Sequence, residues 1–272
     1  MRGKITSVSV RRGQGAAADA SQDFIAVEEP LQIRLNGRDL AITMRTPGHD
    51  RELAAGFLFT EAFLDRADQF AGIEDDDKGT VCVELAPGAQ TVPEPVRNFY
   101  MTSSCGVCGK ASIDALRAAG CTALESDHPR VDAPVLASLP DRLRASQPAF
   151  DRTGGLHAAG LFDRSGALLD VREDVGRHNA VDKLIGAALL AGRLPLDEHI
   201  LMLSGRVSFE LVQKALRARI PVIAAIGAPS SLAVETARRF SVTLAGFVRD
   251  GRFNVYSGHQ RIVRASGGTG AE

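Results

Sequence analysis

The sequence predicts an α/β fold, a mostly parallel mixed sheet covered by helices on both faces, with a smaller N-terminal α+β unit. Two observations carry that prediction. From residue 156 onward, strand-length apolar runs alternate with segments of helical period. One of those runs, VIAAI at 222–226, is apolar throughout, as a strand buried on both faces requires.

The N-terminal unit opens on a hairpin. Leu31, Ile33 and Leu35 alternate before Asn36-Gly37, and Leu40, Ile42 and Met44 alternate after it. A helix is expected through ELAAGFLFTEAFL, where Leu53, Phe57, Phe63 and Leu64 make one apolar face. Residues 80–85 read as a strand, and the three prolines of 86–97 read as a linker. These place the N-terminal unit at 23–97 and the core at 98–264. Residues 1–22 and 265–272 lack periodicity and are expected to be disordered tails.

In the core, a short helix is expected after the Cys-rich loop, to about residue 119. LHAAGLFD (156–163) and LLDVRE (168–173) are strands joined through Ser165-Gly166, and 175–191 is a helix. HILML (199–203) is a strand, followed by a helix with Ser208 as its N-cap. After VIAAI, Ser230 or Ser231 caps a helix to about Phe240, and TLAGFV and FNVYS are the last strands.

Composition removes whole classes of function. Lys plus Arg number 32 against 33 Asp plus Glu, a net charge of -1, so the charge excess of a phosphate-backbone binder is absent. With no Trp and two Tyr, stacking platforms for single strands are scarce, and nucleic acid is not an expected partner. No apolar run is long enough to span a membrane, and the first twenty residues lack the apolar segment of a signal peptide. Four cysteines without framework spacing suit a reducing cytoplasm.

Four segments carry chemistry. The loop SSCGVCGK (103–110) sets Cys105 and Cys108 three residues apart among small residues, beside Lys110 and ahead of a helix, conditions that favour thiolates. Zinc would need four ligands, and no second C-x-x-C is present; a thioredoxin-like dithiol also matches the spacing. REDVGRHNAVDK (172–183) gathers charge where a strand passes into a helix, so Arg177, His178 and Lys183 are candidate anion donors, against the alternative of a capped, solvated helix start. Gly205, Arg206 and Ser208 after one strand, and Ser230 after the next, lie on small-residue junctions where backbone N–H groups can approach a phosphate. FVRDGR (247–252) reads either as an Asp-Gly hairpin turn or as two guanidiniums for a diphosphate with Phe247 against a ring, and His157 either lines the same cleft or is a bonded core histidine.

Taken together, TPGHDRELAAGFLFTEAF, SSCGVCGK, TGGLHAAGLFD, REDVGRHNAVDKLIG, LSGRVSFELVQKA, IGAPSSLAVETA and GFVRDGRFNVYS resemble the FdhD family of formate dehydrogenase accessory sulfurtransferases, over roughly residues 23–264. The resemblance implies a cytidine-deaminase-like three-layer core. It implies that sulfur from a cysteine desulfurase is taken as a persulfide and passed to the bis-molybdopterin guanine dinucleotide form of the molybdenum cofactor, bound as substrate, before insertion into the formate dehydrogenase catalytic subunit. Cys105 matches the persulfide-carrying cysteine, and Cys108 the second loop cysteine that assists transfer. Phe247, Val248, Arg249, Asp250, Gly251 and Arg252 match the cofactor-binding segment. His157, Arg177, His178, Gly205, Arg206, Ser208 and Ser230 are the further candidate cleft residues. The family is cytoplasmic and tends to form homodimers, and no zinc is expected. Two alternatives stand beside it: a zinc-dependent deaminase, for which H-x-E and P-C-x-x-C are lacking, and a molybdenum-cofactor chaperone that donates no sulfur.

Overall fold

The Asn36-Gly37 turn forms as the sequence predicts. Both residues take left-handed backbone (φ 49° and 75°), the conformation that closes a two-residue hairpin, and join β3 (Glu29–Leu35) to β4 (Arg38–Arg45). The computed structural model describes residues 3–14, 17–76, 78–89, 99–101, 116, 120–125 and 127–263. The expected linker from residue 90 to 97 and the helix expected after the Cys-rich loop lie outside the described residues, apart from Leu116.

β3 and β4 are central in a five-stranded sheet of order β5-β6-β3-β4-β7, with β5 at Phe70–Asp75, β6 at Thr80–Leu85 and β7 at Phe99–Met101. β7 pairs with β4, so the N-terminal sheet extends past the boundary expected at residue 97. Helix α1 (Asp50–Thr60) stops earlier than its apolar pattern suggests. Ala62 turns left-handed (φ 63°), and this turn rather than another helical repeat returns Leu64 to the core.

The first residues are the largest correction. Where a disordered tail is expected, β1 (Ile5–Gln14) and β2 (Ala17–Ala26) pair in continuous antiparallel register. Their residues carry little apolar alternation because none of those described is buried, so the hydrophobic signal that marks most strands is missing.

The second half builds a six-stranded sheet of order β10-β9-β11-β12-β13-β14. Its strands are β9 (His157–Asp163), β10 (Leu168–Asp174), β11 (His199–Leu203), β12 (Val222–Ala225), β13 (Thr243–Arg249) and β14 (Arg252–Ser257). The sheet is mixed rather than mostly parallel. Only β11–β12 and β12–β13 pair in parallel, because tight turns at 164–167 and 250–251 send β10 and β14 back antiparallel and β11 also runs against β9. A short parallel pair, β8 (Val131–Asp132) with β15 (Ile262–Val263), stands apart.

Alternation along these strands sorts side chains to two faces. Leu161, Leu201, Leu203 and Ile223 face the layer of α4 (Arg177–Leu190), α5 (Phe209–Arg217) and α6 (Ser231–Arg239). Phe162, Ile200, Met202 and Val222 meet Leu136, Leu139 and Leu143 of α2 (Ala133–Arg144). The result is three layers, helix on sheet on helix. A further short helix, α3 (Pro148–Thr153), leads into β9.

The first core does not stop at the helices. It runs on through Leu53 and Leu58 of α1 to Leu31, Ile33, Val81 and Val83, so the two sheets share one apolar interior. α1 and α4 meet at glycines: a Cβ on Gly56 would lie 1.9 Å from the Asp182 carbonyl oxygen, and one on Gly186 would lie 1.9 Å from that of Glu52. Backbone cannot yield as a side chain can. Gly56→Ala and Gly186→Ala are each expected to lower unfolding free energy by about 3 kcal/mol or more, read from denaturant midpoints.

Candidate functional site

The site forms where the carboxyl ends of β10, β11, β12 and β13 meet the N-termini of α4, α5 and α6, the edge of an α/β sheet where loops are free to vary. β9 runs the other way, and so it begins there: His157 pairs with Asp174, the last residue of β10. Ser204 fixes this corner by accepting a 2.8 Å hydrogen bond from the Ala158 amide.

From His157 the chain segments touch in a row. A Cβ on Gly205 would lie 3.2 Å from His157 Nδ1, and one on Gly227 would lie 2.9 Å from the Arg206 amide nitrogen. Glycine at both places lets the loops after β11 and β12 lie against each other, joined by Gly227 N–H to the Gly205 carbonyl (3.1 Å), Val207 N–H to Ala228 (3.1 Å) and Ser230 N–H to Val207 (2.9 Å). Phe247 N–H then donates to the Gly227 carbonyl at 3.2 Å. His157, Gly205, Arg206 and Phe247 are thereby gathered on one edge.

Phe247 is held in left-handed backbone (φ 53°) at a bulge in the β13–β14 ladder, leaving its ring partly exposed. A bulky aromatic residue accepts that conformation only under strain, and such strain gathers at functional places. The Arg249 guanidinium lies 5.9 Å from the ring centroid. Asp250 and Gly251 form the expected hairpin turn (φ 53° and 70°), and Arg252 sits 3.9 Å from Asp250 with both side chains in solvent. Val248 differs from its neighbours: it is fully buried against the α2 face of the sheet and offers no side chain to a ligand.

His178 stands in the first turn of α4. Its Nε2 lies 3.1 Å from Ser208 Oγ and 3.9 Å from a Glu210 carboxylate oxygen. Ser208 occupies the N-cap of α5 without capping it; its hydroxyl bonds to Glu210 and His178 instead. A neutral His178 that donates from Nε2 to Ser208, which in turn donates to Glu210, forms a consistent hydrogen-bond chain. Burial, with Lys214 and Arg177 nearby, pushes the imidazole down to about 4. Burial raises Glu210, but the Ser208 hydroxyl and nearby positive charge outweigh it and leave the carboxyl below its ordinary value. Ser230, by contrast, does cap α6, accepting from Ala233 N–H at 3.2 Å.

Arg177 opens α4, and its Nε is buried without a hydrogen-bond partner. Burial, Arg177 and Arg206 together lower the pKa of His157. The Arg177 and Arg206 guanidiniums thus bring positive potential to an edge also served by helix N-termini. This arrangement binds an anion better than it delivers a proton. Among the described residues, no three His, Cys, Asp or Glu side chains gather as metal ligands.

Most of the charged run 172–183 has another role. Lys183 is fully buried, 2.6 Å from Asp174, and donates to the Thr46 carbonyl at 2.7 Å; Asp174 also accepts from the Thr46 and Gly176 amides and from Asn179. Lys183 therefore meets no anion from solvent. Glu173 accepts from the first amides of α3, Arg172 pairs with Glu52, and Asp182 lies 3.0 Å from Lys214. The bonds of Asp174 and Lys183 to Thr46 clasp the TPGHD segment to the core. Cys82 is half-buried and Cys121 buried, its thiol raised by desolvation, so both are packing residues. Cys105 and Cys108 lie outside the described residues. Glu210 was not evident as a member of the cluster from sequence; its place two residues after Ser208 is the one signal that points to it.

The FdhD/NarQ family model matches residues 26–263, nearly the whole described chain. The chain belongs to the FdhD/NarQ family. Relatives in this family named sulfur carrier protein FdhD include one from Streptomyces avermitilis, 53% identical across 96% of this chain and 97% of its own. Another, from the archaeon Sulfolobus acidocaldarius, is 44% identical across 95% of this chain and 99% of its own. The crystal structure of a candidate formate dehydrogenase accessory protein from Desulfotalea psychrophila has the same fold, with a TM-score of 0.78 and 27% identity over 96% of this chain and 100% of that one.

His178, with its pKa pushed down by burial, gives the stability of the fold a pH dependence. Between pH 6.5 and about 4 the unfolded chain binds a proton at this position that the folded chain does not, so stability falls as pH drops through that window. Thermal melts at stepped pH are expected to show this loss, and His178→Gln is expected to reduce it by on the order of 2 kcal/mol at pH 4.

Proposed function

We propose that this protein is a cytoplasmic, homodimeric sulfur carrier for formate dehydrogenase, which accepts sulfur as a persulfide on Cys105 and delivers it to the bis-molybdopterin guanine dinucleotide cofactor before the cofactor enters the enzyme's catalytic subunit. The observation that carries this reading is end-to-end similarity to proteins named sulfur carrier protein FdhD, from bacteria and an archaeon. A cytidine-deaminase-like origin for the three-layer core is part of the same reading.

The chemistry balances with the two loop cysteines. The Cys105 thiolate attacks the terminal sulfur of a cysteine desulfurase persulfide, the desulfurase thiolate leaves, and Cys105 holds one extra sulfur. Releasing that sulfur as sulfide takes two electrons. Cys108 supplies them by attacking Cys105 Sγ, so a disulfide forms as sulfide departs toward the bound cofactor; a cellular thiol then restores the dithiol.

The described edge of the sheet suits the cofactor as substrate. Its phosphates are anionic, and Arg177, Arg206, Arg249 and Arg252 supply guanidiniums that bind such groups bidentately. Phe247 and Arg249 offer a flat aromatic and cationic surface for a purine ring. A chaperone that only binds the cofactor would use the same surface, and the cysteines separate the two readings.

Incubation with a cysteine desulfurase and cysteine, followed by peptide mass spectrometry without reductant, is expected to add the mass of one sulfur atom to the Cys105 peptide, and Cys105→Ala to abolish it. An unmodified wild-type protein would sink the sulfur-carrier reading. Arg249→Ala and Arg252→Ala are expected to keep sulfur loading while weakening cofactor or guanosine diphosphate binding roughly tenfold or more in Kd. Unchanged Kd in both would remove the hairpin from the site.

A further inference from the structure

The β1–β2 ribbon has no place in the sulfur chemistry, and its physical state in a single chain is unfavourable. Among the described residues it pairs with no other strand, so both its long edges carry open backbone N–H and C=O groups. None of its described residues is buried, and Phe24 and Ile25 are 41% and 43% exposed, although the Arg152 guanidinium lies over the Phe24 ring at 4.4 Å. A lone two-stranded hairpin in water is marginal at best, and open edges invite another strand.

Charge indicates which strand. β1 (ITSVSVRRGQ) holds Arg11 and Arg12 and no acid, whereas its partner β2 carries Asp19 and Asp23, with Asp23 3.4 Å from Arg12. Among the described strands, β5 ends in the longest acidic run, Glu74 and Asp75 with Asp76 just past its end. β5 is also an edge, the terminal strand of the five-stranded sheet. A basic open edge and an acidic open edge thus occur in the same molecule.

We propose that the ribbon is a dimerisation arm, and that β1 of one chain adds to the β5 edge of a second copy in a register that lays Arg11 and Arg12 beside Glu74 to Asp76. Two such contacts related by a twofold axis close the assembly and leave neither arm free. Each new pairing satisfies two open edges. This locates the contact surface of the homodimer in the reading above and rests on that part of it alone, since sulfur loading is measured separately.

Sedimentation equilibrium of the full chain is expected to give twice 28.9 kDa. Removing residues 2–22, which keeps Phe24 under Arg152, is expected to give monomer with an unchanged melt of the body. Because deletion can disturb folding, charge reversal provides a second arm of the test. Arg11→Glu with Arg12→Glu, or Glu74→Lys with Asp76→Lys, is expected to raise the dimer dissociation constant about tenfold, and an equimolar mixture of the two variants to restore dimer. A monomeric wild-type protein overturns both the homodimer and the arm. A dimer unaffected by deletion and by both reversals overturns the arm alone.

Discussion

The rest of the structure depends on the contact between the backbones of α1 and α4. Gly56 and Gly186 bring two helices closer than side chains allow, and the N-terminal sheet is fused to the central sheet through that crossing. Once the helices touch, the TPGHD segment arrives beside the end of β10, where Thr46 binds both Asp174 and Lys183. The buried ion pair is satisfied only because this segment completes it, and an unsatisfied charge there would cost several kcal/mol. The candidate site is built one turn farther on, from Arg177 and His178, so the crossing of two glycines sets the position of the first guanidinium there.

Division of labour within a single motif follows from this arrangement. In 172–183, residues whose side chains turn inward hold the fold, and those at the open end of α4 face the edge. Small residues serve both ends: glycines at 205 and 227 let the loops lie together under His157, and Gly246 allows the approach of Pro229 beside Phe247. A continuous surface results, from a histidine at the start of β9 to a strained phenylalanine at the end of β13.

Much of this was legible in the sequence, for physical reasons. Asn36-Gly37 and Asp250-Gly251 announce hairpins because left-handed backbone is needed there, and VIAAI announces a buried strand because no face of it meets water. Strand direction was less legible, since it is fixed by short turns and not by the order of strands and helices; three antiparallel pairs therefore replace an expected parallel majority. The ribbon at 5–26 escaped because a strand that buries nothing has no hydrophobic period. At the site, the places of His157, Arg206 and Phe247 at strand ends marked them as candidates, though whether His157 lines the cleft or sits in the core was open until the structure set it beside Gly205. The inward turn of Lys183 and Val248 could not, because it depends on Thr46 and α2, which are distant in sequence. The Cys105 and Cys108 pair was the sharpest chemical signal and needed no three-dimensional information to be noticed.

The α1–α4 crossing also has a history during synthesis. Gly56 and Gly186 are 130 residues apart. At translation speeds of about 5–20 residues per second, α1 leaves the ribosome roughly 6–26 s before its partner exists. Throughout that interval the apolar surface of Leu53, Phe57 and Leu58 has only the first sheet to cover it.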